Sequence, residues 1–481
     1  SSAGRVRQWL GAVQAAMVWA ARQSLPLWAL SRGRPIDWAC LAGRSPRHGH
    51  DAAMVWGWMF VSRPSLANRS MGPTMDSSAR GGVVMRQLLA GCLGAALLLA
   101  AATTAAVAQG PAATGDFEPA GELLVPRAAH TATLLADGRV LIVGGLDTEG
   151  TEVGSAEVWD PATQRFASAG SLLLPRFDHV ASRLADGRVL ITGGAMRHDP
   201  EGVRSDQEGP FPLAKAELWD PVSGAFESTG SLVIARHGHT GTALADGRVL
   251  IVGGTMGSTP IAEVWDPDAG AFESAGPPVG ERIYGHTATL LDDGRVLITG
   301  GRDATFTDLA SMEVWDPETE TFETAGSLDL GRILHTATRL ADGRVLITGG
   351  SGVNEDGVQD LFDSAAVWDP ATGALVEAGP LASGRAMHRS SALPDGRVLV
   401  TGGMGFADAP EGPDAEVGPS VLADVEVFDP ADDRFEAAGR LTAGRMGYTA
   451  TTLLDGRVLV IGGSDASGQV IGIAEAWAPS P

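Results

Sequence analysis

Only two of the 481 residues are cysteine, Cys40 and Cys92, and both precede residue 109. The rest of the chain therefore has no disulfide, no thiolate metal site and no cysteine nucleophile. Tyrosine is as scarce, with Tyr284 and Tyr448 alone, and Lys215 is the single lysine. No P-loop, no Cys-x-x-Cys and no Ser-His-Asp order is present, which removes the commonest signs of nucleotide, redox and acyl-transfer chemistry. Positive charge is short from Gln109 onward, where 24 basic residues face 55 acidic ones. A surface that acidic repels nucleic acid and anionic lipid, so neither is an expected partner. The one apolar run, Leu88 to Ala102, is short for a membrane span, and none is expected in the mature chain.

That run belongs to "MRQLLAGCLGAALLLAAATTAAVAQG", residues 85–110. A basic Arg86, the apolar stretch and Ala106-Val107-Ala108 before Gln109 match a secretory signal peptide. Cleavage near Ala108 is expected, which makes the protein secreted, periplasmic or attached at the cell surface. Leu89-Ala90-Gly91-Cys92 resembles a lipobox, but it precedes the apolar run, which argues against lipidation. Residues 1–84 show no repeat and hold six of the twelve tryptophans. They read as non-native upstream sequence, a disordered stretch or an uncharacterised extension.

The remainder, 109–481, is written in repeats. Asp-Gly-Arg occurs at Asp137, Asp186, Asp246, Asp293, Asp342, Asp395 and Asp455, at intervals of 47 to 60 residues, a period that marks a solenoid, propeller or array. In the first repeat, His130 to Ala136 is β-prone, Asp137-Gly138 predicts a two-residue hairpin turn, and Arg139 to Val143 runs back to Gly144-Gly145. After a variable loop, Ala156 to Asp160 is a third strand, Pro161 to Arg165 a turn, and Phe166 to Ala169 a fourth. One repeat thus gives one blade of four antiparallel strands, a to d.

A sheet this small cannot bury both faces alone, so blades must stack, and radial closure limits exposed edges. Strand c repeats Trp159, Trp219, Trp265, Trp315, Trp368 and Trp477, with Phe428 once. Strand d repeats Phe166, Phe226, Phe272, Phe322 and Phe435, with Leu375 once. Both rows read as packing between blades. The seventh repeat ends at "AEAWAPSP" without a strand d, while "DFEPAG", Asp116 to Gly121, matches "AFESAG" ahead of the first repeat. The N-terminal segment is expected to complete the last blade, giving an all-β, seven-bladed β-propeller.

The Gly-Gly ending strand b, the aromatics in strands c and d, and the period of about fifty residues resemble kelch repeats. The resemblance runs from Asp116 to the C-terminus, and is similar in particular to bacterial secreted kelch proteins and to the propeller domain of galactose oxidase. It implies the propeller fold and leaves function open, because such folds host both enzymes and binding modules. Galactose oxidase and its relatives hold copper with two tyrosines and two histidines, one tyrosine cross-linked to a cysteine. With no cysteine in the repeats that cofactor cannot be built, so no metal and no cofactor are expected. The Ser-x-Asp-x-Gly-x-Thr-Trp boxes of sialidase-type propellers do not occur either.

The connections from strand d to strand a carry a second signal, Arg then His: Arg127/His130, Arg176/His179, Arg236/His239, Arg332/His335 and Arg385/His388, with Arg282/His286 one residue longer and Arg445/Tyr448 in the last repeat. A ring of guanidinium groups around a channel mouth suits an anionic ligand. A residue repeated in every blade equally suits a structural need of every blade, such as pairing with a carboxylate. Where blades differ, Phe177, Asp178, His237, Tyr284 and Tyr448 are the asymmetric candidates for a pocket. The loops from b to c are longest at 195–215 and 404–424, and long loops on a rigid scaffold are common sites of recognition. Asp408, Glu411, Asp414 and Glu416 match no recognised calcium spacing.

No set of nucleophile, base and metal ligands emerges. The sequence therefore favours an exported binding module, expected to be a monomer, for a protein or a carbohydrate ligand. The alternative is a metal-free sugar epimerase or mutarotase at the channel mouth, with Asp178 and His237 as its acid–base pair.

Overall fold

The computed structural model describes residues 115–197, 210–254, 262–406 and 419–479. The signal-peptide segment, residues 1–84, the four acidic residues at 408–416 and most of both long loops lie outside them. The described residues are all β, with no helix, and so none long and apolar enough to cross a membrane.

Among them, seven sheets share one plan, each with strands in antiparallel order a-b-c-d. In the first sheet these are Thr131–Leu134, Val140–Val143, Ser155–Asp160 and Arg165–Ser171. Strand b is buried at every position in all seven sheets (Val140–Val143 is its first instance), which is why it reads as an unbroken Val/Leu/Ile run. The last sheet takes Thr449–Thr452, Val458–Ile461 and Ile473–Pro479 from the C-terminal repeat. Its fourth strand is Gly115–Glu122, which pairs Phe117 opposite Trp477 and Asp116 opposite Ala478.

The core lies between sheets. Seven clusters each join two successive sheets; one brings Ala120, Leu459 and Ile461 of the last sheet onto Val140, Ile142 and Trp159 of the first. The strand c tryptophans are buried at these seams, and four also donate an indole N–H to a carbonyl in or just after strand d of the preceding sheet: Trp159 to Ala120 (2.8 Å), Trp219 to Ala169 (3.0 Å), Trp315 to Ala275 (3.1 Å) and Trp477 to Ala438 (2.9 Å). Each strand a lies against the strand a of the next sheet, and Thr449–Thr452 lies against Thr131–Leu134. The arrangement is β-propeller-like.

The Asp-Gly turns depart from the two-residue reading. Leu135 N–H bonds the Arg139 carbonyl (2.8 Å) and Gly138 N–H the Leu135 carbonyl (3.1 Å), leaving three residues in the loop. Gly138 has positive φ (86°) and Asp137 does not, the pattern of a type I turn followed by a left-handed glycine. Asp137 is there as a clamp: its carboxylate accepts the Arg139 backbone N–H (3.1 Å) and Nε–H (2.7 Å).

Candidate functional site

At the opposite end of the strands, the d-to-a connections meet the b-to-c loops. Phe177 bridges Ala195, Ile333 bridges Ser351 and Met446 bridges Ser464. In the sixth sheet Arg385–Ala386 pairs with Met404–Phe406, which pairs in turn with Pro419–Val421. The stems of both long loops therefore rise beside the Arg-x-x-His segments.

The arginines point into their own sheets. Arg127 Nη2 donates to Glu157 (2.6 Å), Arg176 to Glu217 (2.5 Å), Arg282 to Glu313 (2.5 Å) and Arg385 to Glu426 (2.5 Å); Arg236 pairs with Glu263 and Arg445 with Glu475. All twelve side chains are buried. A second guanidinium nitrogen reaches the first glycine of Gly-Gly, as Arg176 Nη1 does to the Gly193 carbonyl (2.9 Å). The carboxylate also accepts a main-chain N–H from three residues before the arginine: Leu124 for Glu157 (2.7 Å) and Leu173 for Glu217 (2.7 Å). These pairs lock the d-to-a connection onto strand c.

The histidines link sheets. His130 Nε2 meets Thr449 Oγ1 (3.1 Å), His179 meets Thr131 (3.0 Å) and His239 meets Thr192 (2.9 Å), each on the preceding sheet. Burial, and after it the nearby arginines, hold them neutral, with His179 and His388 pushed down to about 3. Tyr448 takes the same place in the last sheet: its hydroxyl meets Thr401 Oγ1 (2.9 Å) and accepts the Arg389 N–H (3.2 Å). Gly-Gly makes room for this row. A Cβ on Gly144 (φ 63°) would stand 2.6 Å from the Arg176 carbonyl and from His179 Cε1, both on the next sheet.

The residue before each histidine, or before Tyr448, has positive φ in all seven sheets: Ala129 (54°), Asp178 (51°), Gly238 (63°), Gly285 (75°), Leu334 (57°), Met387 (58°) and Gly447 (64°). Four of them bear side chains in a region that costs an L-residue about 1–2 kcal/mol. Main-chain bonds tie them into a row: Ala129 N–H to Gly447 (2.8 Å), Gly238 to Asp178 (3.1 Å), Leu334 to Gly285 (2.8 Å) and Met387 to Leu334 (3.0 Å). No residue-type pattern announces this conformation.

Asymmetry concentrates in sheets two to four. Asp178 and His237 are neighbours through the Gly238–Asp178 bond, and a Cβ on Gly238 would stand 3.5 Å from Tyr284 Cβ. All three side chains are half-buried. Burial pushes the Asp178 carboxyl up to about 6 against the pull of Arg389, holds His237 down to about 4, and lifts the Tyr284 phenol to about 12. Tyr284 accepts a hydrogen bond from Arg302 Nη1 (2.9 Å), and Arg302 pairs with Asp308 (2.5 Å). Arg302 follows Gly-Gly where other repeats have Leu146, Ala195, Thr255, Ser351, Met404 and Ser464, a departure visible in the sequence. Phe177 packs with Leu146 and Ala195 as apolar filling. Tyr448 is set apart, inside a sheet-to-sheet seam.

No family model and no curated protein matches the chain. Among solved structures it is similar to a fungal alcohol oxidase of the AA5 family, described in complex with copper, at 19% identity and TM-score 0.57 over 76% of each chain. A structure described as that of YjhT aligns at 15% identity and TM-score 0.45, over 73% of this chain and 95% of the other. The first likeness places the chain among galactose oxidase-like folds. The side chains do not fit a copper site: the Tyr284 phenol is bonded to Arg302, the Tyr448 phenol to Thr401, and the six buried histidines to threonines of neighbouring sheets. No three His, Cys, Asp or Glu side chains among the described residues are grouped to hold a metal.

Proposed function

We propose that the seven sheets close into a seven-bladed kelch-type propeller that is exported, monomeric and non-catalytic, and that binds a carbohydrate or a protein ligand. Closure is supported by the run of strand a contacts that returns from Thr449–Thr452 to Thr131–Leu134, and by the pairing of Gly115–Glu122 with Ile473–Pro479. The observation that carries the binding role is the half-buried set Asp178, His237 and Tyr284, contributed by three successive sheets beside the stem of the 195–215 loop. Arg332 apart, the repeated arginines and the histidines of the Arg-x-x-His segments are occupied by scaffolding, so recognition of a large ligand falls to side chains found once. Neutral imidazole, phenol and a carboxyl at the end of a rigid sheet stack offer both donors and acceptors to hydroxyl groups.

A glycan array followed by calorimetry on the purified chain tests this. We expect one saccharide class to bind saturably and His237→Ala or Tyr284→Phe to weaken it tenfold or more. Binding unaffected by both variants removes the site from these residues. A mutarotase remains the second reading because a carboxyl at about 6 suits a general base near neutral pH. Magnetisation exchange between sugar anomers, accelerated by the wild type and lost in Asp178→Asn, would select it.

A further inference from the structure

Sheet five breaks the arginine–glutamate rule. Strand c reads Ala-Glu-Val-Trp in the first repeat, but Ala365-Ala366-Val367-Trp368 in the fifth, so Ala366 stands where six sheets have a buried glutamate. Arg332 is nevertheless buried as its counterparts are. Its Nη1 still reaches the Gly349 carbonyl (2.9 Å) and its Nη2 the Ser364 hydroxyl (3.1 Å), while Nε is buried with no partner. Phe362 offers its ring face 5.1 Å from the guanidinium, a weaker substitute for a carboxylate.

The other six sheets show what this cradle accepts. In each, a carboxylate takes a guanidinium N–H and the main-chain N–H three residues before the arginine, as with Leu124, Leu173, Val233, Val279, Ala382 and Thr442. Asp329 and Leu330 supply the equivalent backbone positions in sheet five, and Ala366 is half-buried where the glutamates are buried, so the cradle opens to solvent. We infer that Arg332, the Asp329 and Leu330 amides and Ser364 form a binding site for a small carboxylate, distinct from the Asp178–His237–Tyr284 set. The bound group takes the place of the missing glutamate side chain. Burial pulls the Arg332 guanidinium down to about 10, and Asp329, exposed and found in no other repeat at this position, opposes that pull without forming an ion pair with it.

Acetate is the probe, titrated into the whole chain at constant ionic strength set with sodium chloride. The expected result is a melting temperature that climbs with acetate concentration and saturates, with broadening of the 13C-acetate resonance. Ala366→Glu, which supplies the carboxylate covalently, should melt higher than wild type and lose both responses. If Ala366→Glu does not fold, Arg332→Gln decides, and both responses must vanish there. A wild type indifferent to acetate, a variant that responds like wild type, or chloride acting as strongly as acetate overturns the assignment.

Discussion

Six of the seven repeats contain two arginine–carboxylate pairs, one at either end of their strands, and they are not equivalent. At the turn end Arg188 meets Asp186 at 2.6 Å with side chains 35% and 48% exposed; at the connection end Arg176 meets Glu217 at 2.5 Å with 0% and 2%. The distances match and the surroundings do not. Water screens and competes with the first pair, while the second is held with extra backbone donors in a dry seam. A repeated charge pair is therefore a turn clamp at one end and a structural rivet at the other, and sequence spacing alone does not rank them.

Breaking the buried pair sharpens that contrast most. Glu217→Ala leaves Arg176 buried and unpaired, and urea unfolding should show a loss of about 3–5 kcal/mol; a loss below about 1 kcal/mol would erase the distinction between the two ends. Glycines at the two ends should differ as well. Gly144→Ala meets both a left-handed backbone and the next sheet's carbonyl, whereas Gly294→Ala at a turn tip (φ 88°) meets no atom within 4 Å. The turn substitution should cost about 1–2 kcal/mol and Gly144→Ala clearly more, read from the same denaturation curves.

Acid should act through the connection end. His179, held at about 3 when folded against 6.5 as a free side chain, contributes stability above pH 6.5 that is lost as pH falls toward 3, because only the unfolded chain takes up the proton in that window. Asp178, raised from 3.8 to about 6, contributes in the opposite sense, its share present below 3.8 and lost as pH rises through 6. Six buried histidines outweigh one carboxyl, so urea midpoints should fall from pH 7.5 to 5.0, and His179→Gln should flatten the slope. The smallest effect belongs to the turn end: Asp186→Ala should cost no more than about 1 kcal/mol by thermal melt.

The repeat made the sheets legible before any coordinates: Thr131–Leu134 and Val140–Val143 fall inside the expected strands, and the N-terminal "DFEPAG" pairs in the last sheet as its likeness to "AFESAG" implies. The partners of the arginines were harder to see, since Glu157 lies thirty residues beyond Arg127 and only the folded sheet makes them neighbours. The signal was present in the recurring glutamate of strand c and in its loss at Ala366. Left-handed Asp178, Leu334 and Met387 had no signal, because tertiary contacts impose that conformation on residues that resist it.

The pairing of Gly115–Glu122 with Ile473–Pro479 also sets an order of events. During synthesis the segment that emerges early stays without its partner until the final repeat has been made, while the six intervening sheets can form from neighbouring sequence. In the closed ring proposed above, this pairing joins segments far apart in sequence and so forms late, and until it forms the outer edge of Ile473–Pro479 is bare, an invitation to join another copy. A ribosome that stalls or a protease that trims beyond residue 115 does more than shorten a tail: it leaves the last sheet without its fourth strand.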